Sequence, residues 1–178
     1  MRRLPTGALG AALLALALLL LVAAPASARP TAGAQDDDGP TGRALVVKVS
    51  GLLDPVLVDF VSRSIVQAEE EDAVALTLQL NSGGATVPQE QITALTEQMQ
   101  SADVPVAVWV GPSGSKALDE AAQLVYAAAD SGVAPGTTVT APDGRDLDDE
   151  EAVDEGVVDR AAPTIGLFNV ELDGFESR

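Results

Sequence analysis

From residue 44 onward, apolar positions alternate between a strand-like and a helix-like spacing. Ala44 to Val49 is a short β-branched run closed by Ser50-Gly51, which predicts a strand. Asp54-Pro55 then supplies an N-cap followed by proline at the first helical position. Leu57, Phe60, Val61, Ile65 and Ala68 make one apolar helix face up to the acidic stop at Glu69-Glu70-Glu71. The plan repeats with a strand from Ala73 to Leu80, the turn Asn81-Ser82-Gly83-Gly84 and a helix from about Val87 to Gln100. A third unit has a strand from Val104 to Val110, the turn Gly111-Pro112-Ser113-Gly114 and a helix from about Ser115 to Ala129. Strands alternating with helices in this way predict an α/β fold with a largely parallel sheet.

The third helix carries a stripe of small residues, Gly114, Ala117, Ala121, Ala122, Val125, Ala128 and Ala129, suited to close packing. Its other side shows Ser115, Lys116, Asp119, Glu120 and Gln123. Before residue 44 the periodicity is lost. Residues 29–43 are polar, rich in Pro, Thr and Gly, and contain Asp36-Asp37-Asp38, so they read as a flexible acidic leader. Met1-Arg2-Arg3, the apolar stretch Ala8 to Val22 and the small-residue signature Ala26-Ser27-Ala28 make residues 1–28 a secretory signal peptide. Cleavage after Ala28 and export through the general secretory route are therefore expected.

Composition narrows the chemistry. The chain of 178 residues contains neither cysteine nor histidine. This removes the Ser-His-Asp triad, thiol nucleophiles, Fe–S clusters, disulfides and His-ligated zinc or haem. No metal and no cofactor is expected. A formal charge of −17, from 27 acidic and 10 basic side chains, repels phosphate backbones, so nucleic acid is not an expected partner.

What remains is serine, threonine, lysine and carboxylate chemistry. Turns at the carboxyl ends of strands are where open α/β sheets bind ligands. There, Gly83-Gly84 would let another chain approach and leave N–H groups free, as an oxyanion hole requires; the same glycines also serve simply as a turn. With no histidine, a lysine is the only amine that could act as base for a serine. Ser115 and Lys116 are adjacent, however, so on a helix they point about 100° apart and make a poor dyad.

The order of motifs resembles the N-terminal protease domain of the NfeD family, membrane-associated ClpP-class serine proteases of the ClpP/crotonase superfamily. The resemblance runs from Val46 to about residue 174. It is carried by Val47-Lys48-Val49-Ser50-Gly51-Leu52-Leu53-Asp54-Pro55, by Leu78-Gln79-Leu80-Asn81-Ser82-Gly83-Gly84 and by Val104-Pro105-Val106-Ala107-Val108-Trp109-Val110-Gly111-Pro112-Ser113-Gly114. Ala127-Ala128-Ala129-Asp130, Val133-Ala134-Pro135-Gly136-Thr137-Thr138, Glu150-Glu151-Ala152-Val153-Asp154-Glu155-Gly156-Val157-Val158-Asp159 and Ala162-Pro163-Thr164-Ile165 complete it. It implies a domain over 44–174, built of repeated strand–strand–helix (ββα) units, followed by a short tail over 175–178.

The resemblance further implies that Gly83 and Gly84 line the oxyanion hole and the peptide groove. Counted from Gly111-Pro112-Ser113-Gly114, the position of the nucleophilic serine is held by Asp119. The family's base is a lysine after the Ala-Pro-Gly-Thr stretch, yet from Val139 to Arg178 the only cations are Arg145, Arg160 and Arg178. The interval after Thr140 is short, and the proline usual before the glycines is missing. Longer family members continue into membrane helices and a small β-domain, and superfamily members commonly form rings or dimers, which implies a homo-oligomer here.

Two expectations follow from these departures. In the first, the chain is an exported, catalytically inactive protease-fold module at the cell envelope, binding or scaffolding a peptide or membrane-protein partner. Lys116 and Asp119, three apart on the expected helix, would then pair. In the alternative, it is an active serine endopeptidase using Ser82, Ser113 or Ser115 with Lys48 or Lys116.

Overall fold

The computed structural model describes residues 43–172. The expected signal peptide, most of the expected acidic leader and the expected tail lie outside the described residues. No helix among the described residues is long and apolar enough to cross a membrane.

Strand β1 (Ala44–Ser50) leads into helix α1 (Pro55–Glu70), whose first turn is capped by the Asp54 carboxylate accepting from the Leu57 N–H at 2.8 Å. Strand β2 (Ala75–Asn81), helix α2 (Gln89–Ser101) and strand β3 (Val106–Val110) follow. These are the elements that the apolar periodicity predicts, with ends shifted by a few residues.

The chain then departs from expectation. Residues 115–129 do not form one helix. Lys116–Ala117 is a short strand, β4; Asp119–Ala121 is a 3-10 turn; only Ala122–Ala127 is α-helical, α3. Strands β5 (Asp130–Val133), β6 (Thr138–Thr140) and β7 (Asp146–Asp148), helix α4 (Asp149–Asp154), strand β8 (Arg160–Ala161) and helix α5 (Ile165–Leu172) complete the described chain.

Five strands form a parallel sheet in the order β1-β2-β3-β5-β8. A second sheet joins β4 parallel to β6 and β6 antiparallel to β7. The architecture is α/β with a largely parallel main sheet, as expected. The interior strands β2 and β3 are covered on both faces, which is why they read as largely apolar runs, whereas the interior strand β5 buries Asp130 and Ser131 with side-chain partners. One face packs Leu76, Leu78, Leu80, Val106, Val108 and Val110 into the main core with helices α1 to α3. On the other face, Trp109 and Ala107 meet Phe168 and Leu172 of α5 in a smaller apolar cluster.

The inner face of α1 is turned from the one expected. Val61, Ile65 and Ala68 are buried, with Ser64 donating to the Phe60 carbonyl at 2.8 Å, whereas Phe60 itself is 42% exposed. Of the small-residue stripe, Ala117, Ala121, Ala122 and Val125 are buried, but Gly114 and Ala129 are exposed. Because Ala121 has no exposed surface, Ala121→Leu should overpack this core and cost about 1–3 kcal/mol, read as a lowered urea midpoint. An unchanged midpoint would contradict the packing described.

Candidate functional site

The turn after β2 is stitched into the fold on both sides. On one side Gly51 N–H donates to Asn81 O (3.1 Å), Leu53 N–H to Gly84 O (3.0 Å) and Thr86 N–H to Leu53 O (2.9 Å). On the other, Ser82 N–H donates to Lys116 O (2.7 Å), Leu118 N–H to Ser82 O (3.1 Å) and Lys116 N–H to Asn81 Oδ1 (3.2 Å). Residues 116–118 are thereby held extended against the turn, which forbids the helix that the local sequence favours.

This clamp decides what surrounds each glycine. A Cβ on Gly83 would meet Lys116 Cε at 3.4 Å, Lys116 Nζ at 3.5 Å and Leu52 Cδ2 at 4.0 Å. A Cβ on Gly84 would meet Glu120 Oε2 at 3.3 Å and Asp119 Oδ2 at 3.7 Å. Gly84 also has φ +125°, a backbone region that side chains other than hydrogen rarely adopt. One glycine is therefore faced by an ammonium and an apolar wall, and the next by two carboxylates.

Asp119 opens the 3-10 turn with φ +49°, a left-handed conformation that aspartate tolerates better than most residues. Its N–H donates to Thr140 Oγ1 at 3.1 Å, and that hydroxyl donates to Asp146 Oδ1 at 2.6 Å. The Tyr126 hydroxyl donates to the Thr140 carbonyl. Burial, reinforced by the nearby Asp143 charge, holds the Tyr126 phenol above its ordinary pKa. These bonds tie the Asp119 turn to β6.

Glu120 Oε2 accepts from the Ala85 N–H at 3.2 Å. An amide beside the glycine pair is thus already engaged by an internal anion. The Gly83 N–H has no partner among the described residues.

The expected site residues are only partly brought together. Gly83, Gly84, Lys116 and Asp119 converge. Lys116 and Asp119 do not share a helix, and among the described residues Lys116 forms no ion pair, so the expected pairing is not formed. Ser115 is buried and Lys116 exposed, as neighbours on an extended chain alternate, which rules out the local Ser115–Lys116 dyad. Ser82 is buried with its hydroxyl donating to Gly84 O at 2.9 Å. Ser113 and Lys48 are exposed, Lys48 on the outermost strand of the main sheet.

Sequence reasoning gave no role to Glu120, Leu52 or Thr140. The adjacent acids Asp119-Glu120 were the available signal for the first; Leu52 is placed by the bonds of Gly51 and Leu53 to the turn, and Thr140 by its strand β6. After β6 the chain reverses at once: Ala141 N–H donates to Arg145 O at 2.7 Å and Gly144 N–H to Ala141 O at 2.9 Å. Arg145 on this hairpin binds Asp143 and Glu155, and its guanidinium holds both carboxylates below their ordinary pKa.

Beside the turn lies a groove of about 720 Å³ between the Ser50-Gly51-Leu52 segment and α1. Its walls include Leu52, Val56, Leu57, Phe60, Arg63 and Thr86. Leu52, Val56 and Phe60 are 51%, 73% and 42% exposed, an apolar lining that reaches toward Gly83 through Leu52.

No protein-family model and no curated protein matches this sequence. Solved structures do. The protease 1510-N, a membrane protease specific for a stomatin homolog from Pyrococcus horikoshii, superposes with a TM-score of 0.67 at 19% identity, over 74% of this chain and 79% of that one. A mutant of the same protease is known in complex with a substrate peptide. An enoyl-CoA hydratase/isomerase family protein from Silicibacter pomeroyi gives 0.62 at 14% identity, over 76% and 79%. A mutant ClpP1 from Listeria monocytogenes gives 0.57 at 17%, over 68% and 93%. At such identities the likeness is one of fold, and the chain has the ClpP/crotonase-like fold that these proteases and hydratases share.

Proposed function

We propose that this protein is an exported, NfeD-like member of the ClpP class that has lost peptidase activity and binds a peptide segment of its partner at the cell envelope. The observation that carries the reading is the pair of carboxylates at Gly84. Acyl transfer needs donors aimed at a developing oxyanion, in a place free of competing negative charge. Here Glu120 occupies the Ala85 N–H and Asp119 stands beside it. A carboxylate also attacks a peptide carbonyl poorly in place of a serine.

The lack of a base points the same way. After Lys116 the described chain has only Arg145 and Arg160, and guanidinium stays protonated near neutrality. The tight hairpin after Thr140 leaves no longer excursion there to bring another group to the site. Neither Ser82, bonded to its own turn, nor Ser115, facing the core, is poised with a lysine. Peptide binding is supported by the fold likeness to 1510-N, a protease solved with a substrate peptide, and by the groove beside Gly83. Export rests on the Ala26-Ser27-Ala28 signature; a secreted product with an intact mass beginning at Arg29 is its test.

The purified mature chain should remain unlabelled by a fluorophosphonate probe and should not turn over peptides. Asp119→Ser should stay inactive, because Glu120 still holds the Ala85 amide and no base is supplied. Peptide hydrolysis lost on Ser82→Ala or Ser115→Ala would establish the serine endopeptidase alternative instead.

A further inference from the structure

We infer that the ligand is the C-terminal end of a polypeptide, its free carboxylate held at Gly83 by Lys116 and its last, apolar side chain lodged in the Leu52–Phe60 groove. The inference rests on the peptide-binding reading and adds which part of a peptide is recognised. Three features meet at the missing side chain of Gly83. Lys116 Nζ lies 3.5 Å from that point and forms no ion pair among the described residues. The Gly83 N–H, likewise without a partner among the described residues, is a second donor on the same residue. Leu52 Cδ2 lies 4.0 Å away, and Leu52 is also a wall of the apolar groove with Val56 and Phe60.

An ammonium and a backbone amide beside an apolar cavity match a group that is anionic at one end and apolar at the other. Backbone donors with a cation are a recurring way of capturing a terminal carboxylate. A carboxylate side chain within a peptide would present the charge, but not with an apolar group branching from the adjacent carbon. Asp119 and Glu120 at Gly84 repel a second negative charge and confine the carboxylate to the Gly83 side. The overall charge of −17 adds the requirement that the rest of the peptide be neutral or basic.

The test uses fluorescence anisotropy on the mature chain with pools of fluorescein-labelled neutral hexapeptides. One pool ends in leucine with a free carboxylate, a second is its C-terminal amide, and a third ends in glycine with a free carboxylate. The leucine acid should bind more tightly than the amide by about tenfold or more, as loss of a charge-assisted contact requires. Lys116→Met should erase the difference between acid and amide, and Phe60→Ser the difference between leucine and glycine. Both replaced side chains are exposed, so neither change removes core packing.

If acid and amide bind equally to the unmodified chain, or if Lys116→Met preserves their difference, carboxylate recognition is wrong while peptide binding stands. Equal binding of the leucine and glycine pools would remove the groove from the proposal. If no pool binds, the peptide-binding reading falls together with this inference.

Discussion

Phe168→Ala is expected to lower the stability of the domain by about 3–5 kcal/mol, a large share of the 5–15 kcal/mol typical of a domain. Phe168 has no exposed surface and is the central contact of α5 with the second face of the main sheet. Its ring fits over Gly132: a Cβ there would stand 2.6 Å from Phe168 Cδ2, so sheet and helix meet at van der Waals distance with no room to spare. Trp109 packs in the same cluster, with its Nε1–H donating to the Ala162 carbonyl at 2.8 Å. Removing the Phe168 ring leaves a cavity that these polar and backbone anchors prevent from collapsing. A urea titration should show a lower midpoint at an unchanged slope. A loss below about 1 kcal/mol would mean that α5 contributes little to holding the fold together.

Arg160→Met is expected to cost about 2–4 kcal/mol, in or below the range for breaking a buried ion pair because the guanidinium retains some solvent screening. Its Nη1 donates to Asp130 Oδ1 at 2.6 Å and Oδ2 at 2.5 Å, where the Asp130 side chain is only 6% exposed and that of Arg160 is 25% exposed. The substitution keeps much of the aliphatic stem and strands the Asp130 carboxylate, which is the costly part. Arg160 also caps α5 from the side: Nη2 donates to the Phe168 carbonyl, and the guanidinium lies 4.6 Å from the Phe168 ring centre. The two substitutions therefore share contacts. The double variant Arg160→Met/Phe168→Ala should lose less than the sum of the single losses. Strict additivity would show that Arg160 does not act through the Phe168 ring.

The periodicity of the chain was enough to find β1, α1, β2, α2 and β3, because each is long enough to repeat its pattern and because strands covered on both faces, such as β2 and β3, are largely apolar. The Gly83-Gly84 turn and the acid at residue 119 were likewise legible, the first from its position at a strand end and the second through the motif order. Other features had no local signature. Helix α5 is held by Phe168 and Arg160 against a sheet face assembled from distant strands, so its eight residues acquire their role only in the fold.

The stretch from Ser115 to Ala121 marks where local pattern and tertiary structure disagree. Its alanines favour a helix. Two-residue β4 instead pairs with β6, Lys116 opposite Thr138, while residues 116–118 bond to Asn81 and Ser82. These long-range bonds satisfy backbone groups that a local helix would otherwise satisfy within itself, and they bring Glu120 to the Ala85 amide. The same holds for Phe60: helical spacing placed it on the apolar face, but where that face meets the sheet depends on how α1 is docked, and the docking leaves Phe60 in the groove. The amino-acid sequence by itself thus determined the strand–helix alternation, the glycine turn and the loss of every histidine- or cysteine-based chemistry, all properties of composition or of neighbours along the chain. Which charges stand over which glycine was decided by the tertiary structure alone, because hydrogen bonds between segments some thirty-five residues apart set that geometry.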